Sequence, residues 1–434
     1  MASPGPLAAA CPEDLDPQAH LRAVTPAMDR RNGRIFCASF VLKYFAAPVG
    51  YVGVVQAALC DKLGAGPAVS NLPAAAYLFG HFAPLVLSSF IPSRRVRAVV
   101  VAAYAATTIL LAAVCTLLVF PVPTPVRLGA VIGHGLVQGF SGSISNVYVW
   151  QCLARGTTLD GRARALKLTY TVGPISAIAG SLAAQFVLGG GVPALPYLYD
   201  FAALYLVGVV TMGIVTLISS RYELIAISEE PRTPFLRHMA DSIRSYGRSR
   251  VLVLLWFAYL LWYSTLNGMT NLSLYTRVAI GREPKELSGL IMALRFGFKA
   301  LAGFVLGVIA LRRGMRAPLT TTVLLLGAAI AWAWIAPGYA YLVAFGLLGA
   351  GELGGVYFPN YLVAISPAAT GTRNLALLTL VSCASSVAPI LYGGLTQLFG
   401  FRAAFALGAV LAASSLWLVT KLPRMQGSDT GGKR

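Results

Sequence analysis

Apolar runs of about 20 residues alternate with short polar or proline- and glycine-containing breaks over nearly the whole chain. A helix needs about 20 apolar residues to cross a hydrocarbon core of roughly 30 Å. The pattern therefore predicts an all-α integral membrane protein with about twelve transmembrane helices in two pseudo-symmetric six-helix bundles. The first six are predicted at residues 34–59, 69–92, 97–120, 127–153, 166–189 and 197–220. The other six are predicted at residues 250–275, 287–311, 317–336, 339–364, 373–398 and 401–422.

Polar segments divide the chain. The predicted parts are a disordered cytoplasmic tail (1–32), an N-terminal six-helix bundle (33–220), a cytoplasmic linker (221–249), a C-terminal six-helix bundle (250–422) and a cytoplasmic tail (423–434). The first tail has no signal-peptide pattern. A basic cluster follows the second helix of each half: Arg94, Arg95 and Arg97 in the first, and Arg312, Arg313, Gly314 and Arg316 in the second. Corresponding features in two halves indicate a duplicated fold.

Composition supports the membrane assignment, because 57% of the residues are hydrophobic and only 11% are charged. A formal charge of +19 would indicate nucleic-acid binding in a soluble protein. Most of the lysines and arginines, however, lie in alternate loops, as the positive-inside rule describes. We therefore expect both termini to be cytoplasmic and no nucleic-acid partner. The alanine, glycine and arginine bias is compatible with a bacterial inner membrane.

No motif indicates an enzyme, a metal site or a cofactor. The chain lacks a phosphate-binding Gly-x-x-x-x-Gly-Lys-Ser/Thr loop and a serine in a nucleophile elbow. The four histidines are dispersed, and the six cysteines are scattered without paired spacing. We therefore expect neither catalysis nor a bound cofactor.

Four charged residues lie well inside predicted helices, away from the helix ends, where a charge is costly unless it is paired or faces water. Arg295 and Lys299 are four residues apart in the eighth helix and so share a face. They could hold an anionic group, with Glu352 of the tenth helix as counter-charge and proton carrier. The alternative is a fixed ion pair that locks these two helices. Lys43, in the first helix, could bind substrate or extend to the inner interface.

Uncharged polar residues add further candidates. Tyr263, Asn267 and Asn271 are spaced by four in the seventh helix and could bind a polar solute or connect helices. Gln138 in the fourth helix could line a pathway or belong to helix packing. His81 and His134 are candidate proton relays, with a packing role as the alternative.

Three sequence features together resemble the major facilitator superfamily. They are the loop Gly307 through Arg316, the residues Ala388, Pro389 and Ile390 with Gly393 and Gly394, and the turn from Gly400 to Phe405. The resemblance covers nearly the whole chain, although the first basic loop lacks the family's usual acidic residue and glycine pair. It implies alternating access around a site near the membrane midplane, a cavity-lining seventh helix, and a conformational role for the basic loops.

The favoured function is secondary active transport of a small solute, an organic anion, because the mid-span pair Arg295 and Lys299 exceeds the local acid, Glu352, by one. A proton is the candidate coupling ion. The first alternative is proton-driven efflux of drugs or metabolites. It is favoured by the aromatic content and by Gly173-Pro174 in the fifth helix, which resembles the Gly-Pro kink of proton-coupled antiporters in this superfamily. The second, of another class, is a non-transporting receptor, assembly factor or scaffold of the same fold. The expected partners are a small-molecule substrate and the lipid bilayer, and the expected state is a monomer.

Overall fold

The computed structural model describes residues 24–423, apart from 51–53, 88–90, 193–194, 196–197, 226–239, 241–242 and 367. Most of the predicted N-terminal tail, most of the linker and nearly all of the C-terminal tail lie outside these residues. The first helix begins at Pro26, earlier than predicted. The Thr25 side chain accepts a hydrogen bond from the Met28 amide at 3.2 Å, and Pro26 occupies the first turn. Residues 26–32, predicted as part of the disordered tail, are helical because this capping starts the helix at Pro26.

The described residues contain helices and no strands. The helices of the first half are α1 Pro26–Phe45, α2 Ala47–Gly50, α3 Val54–Lys62, α4 Pro67–Gly80, α5 Ala83–Leu87, α6 Val96–Val119, α7 Thr124–Gly156, α8 Leu159–Leu188 and α9 Tyr199–Ser219. Those of the second half are α10 Arg250–Leu266, α11 Met269–Ile280, α12 Ser288–Arg313, α13 Arg316–Ile335, α14 Val343–Gly351, α15 Gly354–Ile365, α16 Ala368–Ala384, α17 Val387–Phe399 and α18 Phe401–Lys421. The all-helical prediction is confirmed for this part of the chain.

Within the described ranges, nine helical stretches are long and apolar enough to cross a membrane. They are Val96–Val119, Asp160–Leu188, Tyr199–Ser219, Arg250–Ile280, Ser288–Ala310, Arg316–Ile335, Gly338–Leu362, Leu377–Phe399 and Phe401–Lys421. The predicted spans 34–59 and 69–92 correspond instead to shorter, interrupted helices. The predicted span 127–153 lies in one long helix, α7, whose apolar character is diluted by glycine, serine and amide residues. The structure is that of a multi-pass membrane protein, and the count of twelve spans stays a prediction.

Each half of the chain has its own hydrophobic core. The first is built from residues between Ile35 and Tyr222, and the second from residues between Tyr246 and Leu422. Helices approach closely inside the first core, because a Cβ atom at Gly135 or Gly139 of α7 would collide with the α4 backbone. Such small residues permit the backbone contact on which helix association in lipid depends.

An arginine at the start of one helix binds the carboxyl end of another in both halves. Arg97, at the start of α6, donates to the Tyr222 carbonyl just beyond α9, at 3.1 Å. Arg316, at the start of α13, donates to the Thr420 and Leu422 carbonyls at the end of α18, at 2.7 and 2.9 Å. A cation is favourable there because the last carbonyls of a helix lack partners and carry partial negative charge. The recurrence of this contact supports the duplication that the two basic clusters indicated.

The other members of the two basic clusters lie differently. Arg94 and Arg95 are exposed beside α6, and Arg312 and Arg313 are exposed in the last turn of α12. Gly314 has φ +75° and ends α12, since a left-handed conformation favours glycine.

Arg316→Ala should therefore lower the stability of the purified protein more than Arg312→Ala does. It removes charge-assisted hydrogen bonds of about 1.5–3 kcal/mol each in typical settings, whereas Arg312 is exposed. Thermal unfolding in detergent measures both. Equal melting temperatures for the two variants would show that the contact with α18 contributes nothing to stability.

Candidate functional site

The two cations predicted in the eighth helix and the carboxylate predicted in the tenth meet inside the second half. Arg295 Nε donates to Glu352 Oε1, and Lys299 Nζ donates to Glu352 Oε2 at 3.0 Å. The side chains of Arg295 and Glu352 are only 6% and 7% exposed, whereas that of Lys299 is 30% exposed. We call these three residues the charged cluster. It has a formal charge of +1 and is accessible through Lys299.

Glycines around Glu352 make this meeting possible. A Cβ at Gly349 would collide with the Arg295 carbonyl, and one at Gly354 would lie 2.5 Å from the Trp262 ring. The α14 backbone therefore packs directly on α12. Glu352 itself lies at the break between α14 and α15, where its amide donates to the Leu348 carbonyl at 2.9 Å. Broken helices near the membrane midplane often form the substrate and ion sites of transporters.

The charged cluster lies next to a contact between the two halves. Phe296, which follows Arg295, packs edge-on against Tyr44 of α1, with ring centroids 6.3 Å apart. Phe296 and Met292 also form a small apolar cluster with Ala47 and Ala177 of the first half. The cations of α12 are thus placed where a relative motion of the halves would change their surroundings.

Lys43 lies one residue before Tyr44, on the other side of this contact. Its ammonium nitrogen is 3.3 Å from Asn146 Oδ1 and lies over the rings of Phe40 and Tyr104, at 4.9 and 5.2 Å from their centroids. Aromatic faces stabilise a cation that is partly removed from water. The first half therefore supplies a separate positive group, held by its own partners.

The predicted polar stripe of the seventh helix is divided by a break at Asn267–Gly268. Asn267 Nδ2 donates to Ser385 Oγ at 3.2 Å, at the break between α16 and α17. Tyr263 is half-buried and lies edge-on to the rings of Tyr259 and Trp262. These two candidates therefore lie beside helix breaks and aromatic rings rather than on one continuous helix.

Asn271 is buried and connects three helices. Its Nδ2 donates to the Tyr392 carbonyl at 2.9 Å and to Thr396 Oγ1 at 2.6 Å, while its Oδ1 accepts from Asn71 Nδ2 at 2.9 Å. Asn71 belongs to α4 of the first half. Asn271 is therefore engaged in joining the halves.

Further contacts join the halves at the same end of the molecule. Arg277, near the end of α11, donates to Asp61 of α3 at 2.5 Å and to Glu283 at 2.8 Å. Gln185, near the end of α8, accepts from the Leu290 amide at the start of α12 at 2.6 Å. The loop charges predict this end to be external. We call it the closed end.

His134, His81 and Gln138 all lie in the first half. His134 is fully buried and edge-on to the Tyr205 ring at 5.5 Å, and neither of its ring nitrogens has a hydrogen-bond partner among the described residues. His81 follows α4 and is edge-on to Tyr77 at 4.7 Å. Gln138, one turn after His134, has a buried Oε1 without a partner in the described structure. Glu352 belongs to the second half, so the predicted proton-coupling residues Glu352, His81 and His134 are divided between the halves.

Several residues at the closed end were not among the sequence candidates: Asn71, Gln185, Asp61 and Arg277. Asn71 and Gln185 are amides inside predicted helices, and a buried amide requires a hydrogen-bond partner. That signal was available in the sequence for both.

The structure is similar to those of solved transporters. The nucleoside transporter NupG has a TM-score of 0.64 at 12% identity, covering 91% of this chain and 98% of that one. A POT family transporter in complex with 5-aminolevulinic acid has a TM-score of 0.64 at 13% identity, with coverages of 92% and 96%. The Escherichia coli fucose:proton symporter FucP has a TM-score of 0.57 at 14% identity, with coverages of 91% and 98%.

The chain has the fold of the major facilitator superfamily. The resemblance noted in the sequence is thereby confirmed for the fold. By sequence alone, no family profile and no characterised protein matches the chain. The neighbours with this major facilitator fold are transporters and not enzymes. The solutes in their descriptions are properties of those proteins.

Proposed function

We propose that this protein is a secondary active transporter that moves a small organic anion by alternating access, with a proton as the coupling ion. The observation that carries the proposal is the charged cluster, with two cations on one carboxylate beside the contact between the halves. The excess positive charge favours an anionic solute. The fold supports transport, since its solved neighbours carry solutes.

The exposure of the three side chains suggests an order of events. An arriving anion reaches Lys299 first, because its side chain is the most exposed of the three. The anion then competes with Glu352 for the cations. A buried carboxylate without a cationic partner is costly, so Glu352 takes up a proton as the anion binds. Release of the anion and proton restores the ion pairs.

The remaining candidates take supporting roles in this proposal. Lys43 supplies a second positive group from the first half, and Tyr263, Asn267 and Gln138 orient polar parts of the solute. His81 and His134 are the candidate proton relays of the first half, and this role requires that water reaches them during the transport cycle. The neighbours bound to 5-aminolevulinic acid and coupled to protons are compatible with a small acid and a proton.

With the closed end external, as the loop charges predict, the structure is a conformation that is closed toward the outside. Asn271 and Arg277 then belong to the external closure and separate from Asn71 and Asp61 when that end opens. We further propose that the chain forms twelve spans in two bundles, has both termini in the cytoplasm and lies in a bacterial inner membrane.

Binding of anions should depend on Lys299. We expect small carboxylates to raise the melting temperature of the wild type, because ligands that bind the folded state stabilise it. Lys299→Ala should weaken this response at least about tenfold, which corresponds to roughly 1.4 kcal/mol. The matched control is Lys421→Ala, which removes an exposed lysine at the end of α18.

Other results would favour the alternatives. If lipophilic cations stabilise the wild type and Lys299→Ala alike, the cluster is structural and efflux becomes the better proposal. If no solute changes the accessibility of the two faces, measured by labelling from each side of a vesicle, the protein is a non-transporting member of the fold.

A further inference from the structure

A pocket of about 370 Å³ lies on the surface between the start of α1 and the residues that follow α9. Four arginines line it: Arg30, Arg31, Arg34 and Arg221. The aliphatic side chains of Ile35 and Ile218 form its inner wall. The pocket is at the opposite end of α1 from Asp61 and the closed end, and so on the predicted cytoplasmic side.

The pocket has excess positive charge. Arg31 is paired with Glu223, the acidic side chain at this site. Within the described ranges, Arg30, Arg34 and Arg221 have no side-chain ion pair. Asp29, next to Arg30 in α1, is buried, accepts a hydrogen bond from the Thr158 amide at 2.7 Å and pairs with Arg164 at 3.3 Å. It therefore does not neutralise the arginines.

An apolar surface leads into the pocket. Val210, Ile214 and Leu217 are exposed along one face of α9, with 69% of Leu217 accessible. Ile218 belongs to the same helix, and Arg221 follows its end at Ser219 by two residues. In a membrane this face contacts acyl chains, because exposed aliphatic side chains there match the lipid. The chain thus joins an acyl-chain track to an arginine-lined pocket at the predicted interface.

We propose that this pocket binds the phosphate headgroup of an anionic phospholipid of the cytoplasmic leaflet, with an acyl chain along α9. Guanidinium groups bind phosphate oxygens bidentately and remain charged at the membrane surface. Basic pockets between helices on the cytoplasmic side are suited to such headgroups. A soluble phosphate shares this chemistry but does not use the apolar track. The bound lipid would connect α1 to α9.

The test compares two triple variants that remove the same charge. Arg30→Ala/Arg34→Ala/Arg221→Ala removes the three arginines of the pocket that lack an ion pair within the described ranges. The control, Arg244→Ala/Arg248→Ala/Arg250→Ala, removes three exposed arginines just before and at the start of α10. Binding of phosphatidylglycerol to the detergent-purified full chain is followed by native mass spectrometry and by the melting temperature. Phosphatidylcholine and inorganic phosphate are the other ligands.

We expect phosphatidylglycerol to bind and stabilise the wild type and the control, and to bind the pocket variant about 100-fold more weakly, at about fivefold per arginine. Equal weakening of both triple variants would show that general charge attracts the lipid and would overturn the proposal. An equal response to inorganic phosphate would identify a site for a soluble anion instead. These residues do not contact the charged cluster, so either result leaves the transport proposal unaffected.

Discussion

Glu352→Gln will remove the proton dependence of transport and lower the stability of the purified protein. Glutamine keeps the size of the side chain but cannot neutralise Arg295, which is 6% exposed, or Lys299. Removing one partner of a buried ion pair typically costs about 3–5 kcal/mol. The measurements are thermal unfolding in detergent and uptake into proteoliposomes with and without a pH gradient.

Two comparisons separate the causes of this effect. Glu223→Gln is the matched control, since it breaks an exposed ion pair with Arg31 that is worth roughly 0–1 kcal/mol. The double variant Arg295→Met/Glu352→Gln should regain part of the stability, because it also removes the unpaired buried cation. Reduced stability with unchanged proton dependence would mean that the cluster is the fixed ion pair considered from the sequence. Wild-type behaviour in both assays would contradict either role.

The sequence predicted helix positions well where an apolar run is long and uninterrupted. The predicted span 401–422 corresponds to Phe401–Lys421, and the predicted 317–336 corresponds to Arg316–Ile335. The breaks at Asn267, Glu352 and Ser385 were not predicted. Each break occupies two residues among mostly small or apolar neighbours, so the apolar pattern continues across it. Glycines that pack closely against other residues accompany the breaks at Asn267 and Glu352, and such packing is visible only in the folded structure.

Part of the charged cluster could be anticipated from the sequence. The spacing of four places Arg295 and Lys299 on one helical face, and an intramembrane cation needs a counter-charge. Glu352 was the acid nearest mid-span in the predicted helices. The Asn71–Asn271 bond could not be anticipated in the same way, because two amides from different halves meet only through tertiary packing. The roles of these residues in transport stay predictions.

We expect the single methyl group added by Gly393→Ala to open the closed end. In α17, a Cβ at Gly393 would lie 2.8 Å from the Pro67 carbonyl oxygen and 2.9 Å from the Ala68 Cα, both backbone atoms of the other half. Backbone cannot rotate away as a side chain can, so Gly393→Ala should separate α17 from α4. Gly394 is the matched control, because a Cβ there meets nothing within 4 Å.

Gly393→Ala should therefore populate the conformation that is open at the predicted external end, whereas Gly394→Ala should not. Overpacking of this kind costs about 1–3 kcal/mol, enough to change the ratio of two conformations by roughly 5- to 150-fold. Spin labels at Lys62 and Arg282, one exposed position near the closed end in each half, report the separation by electron–electron distance measurement. We expect longer distances and slower uptake for Gly393→Ala in a cysteine-free background. If both glycine variants give the wild-type distance distribution, α4 and α17 do not control the external closure.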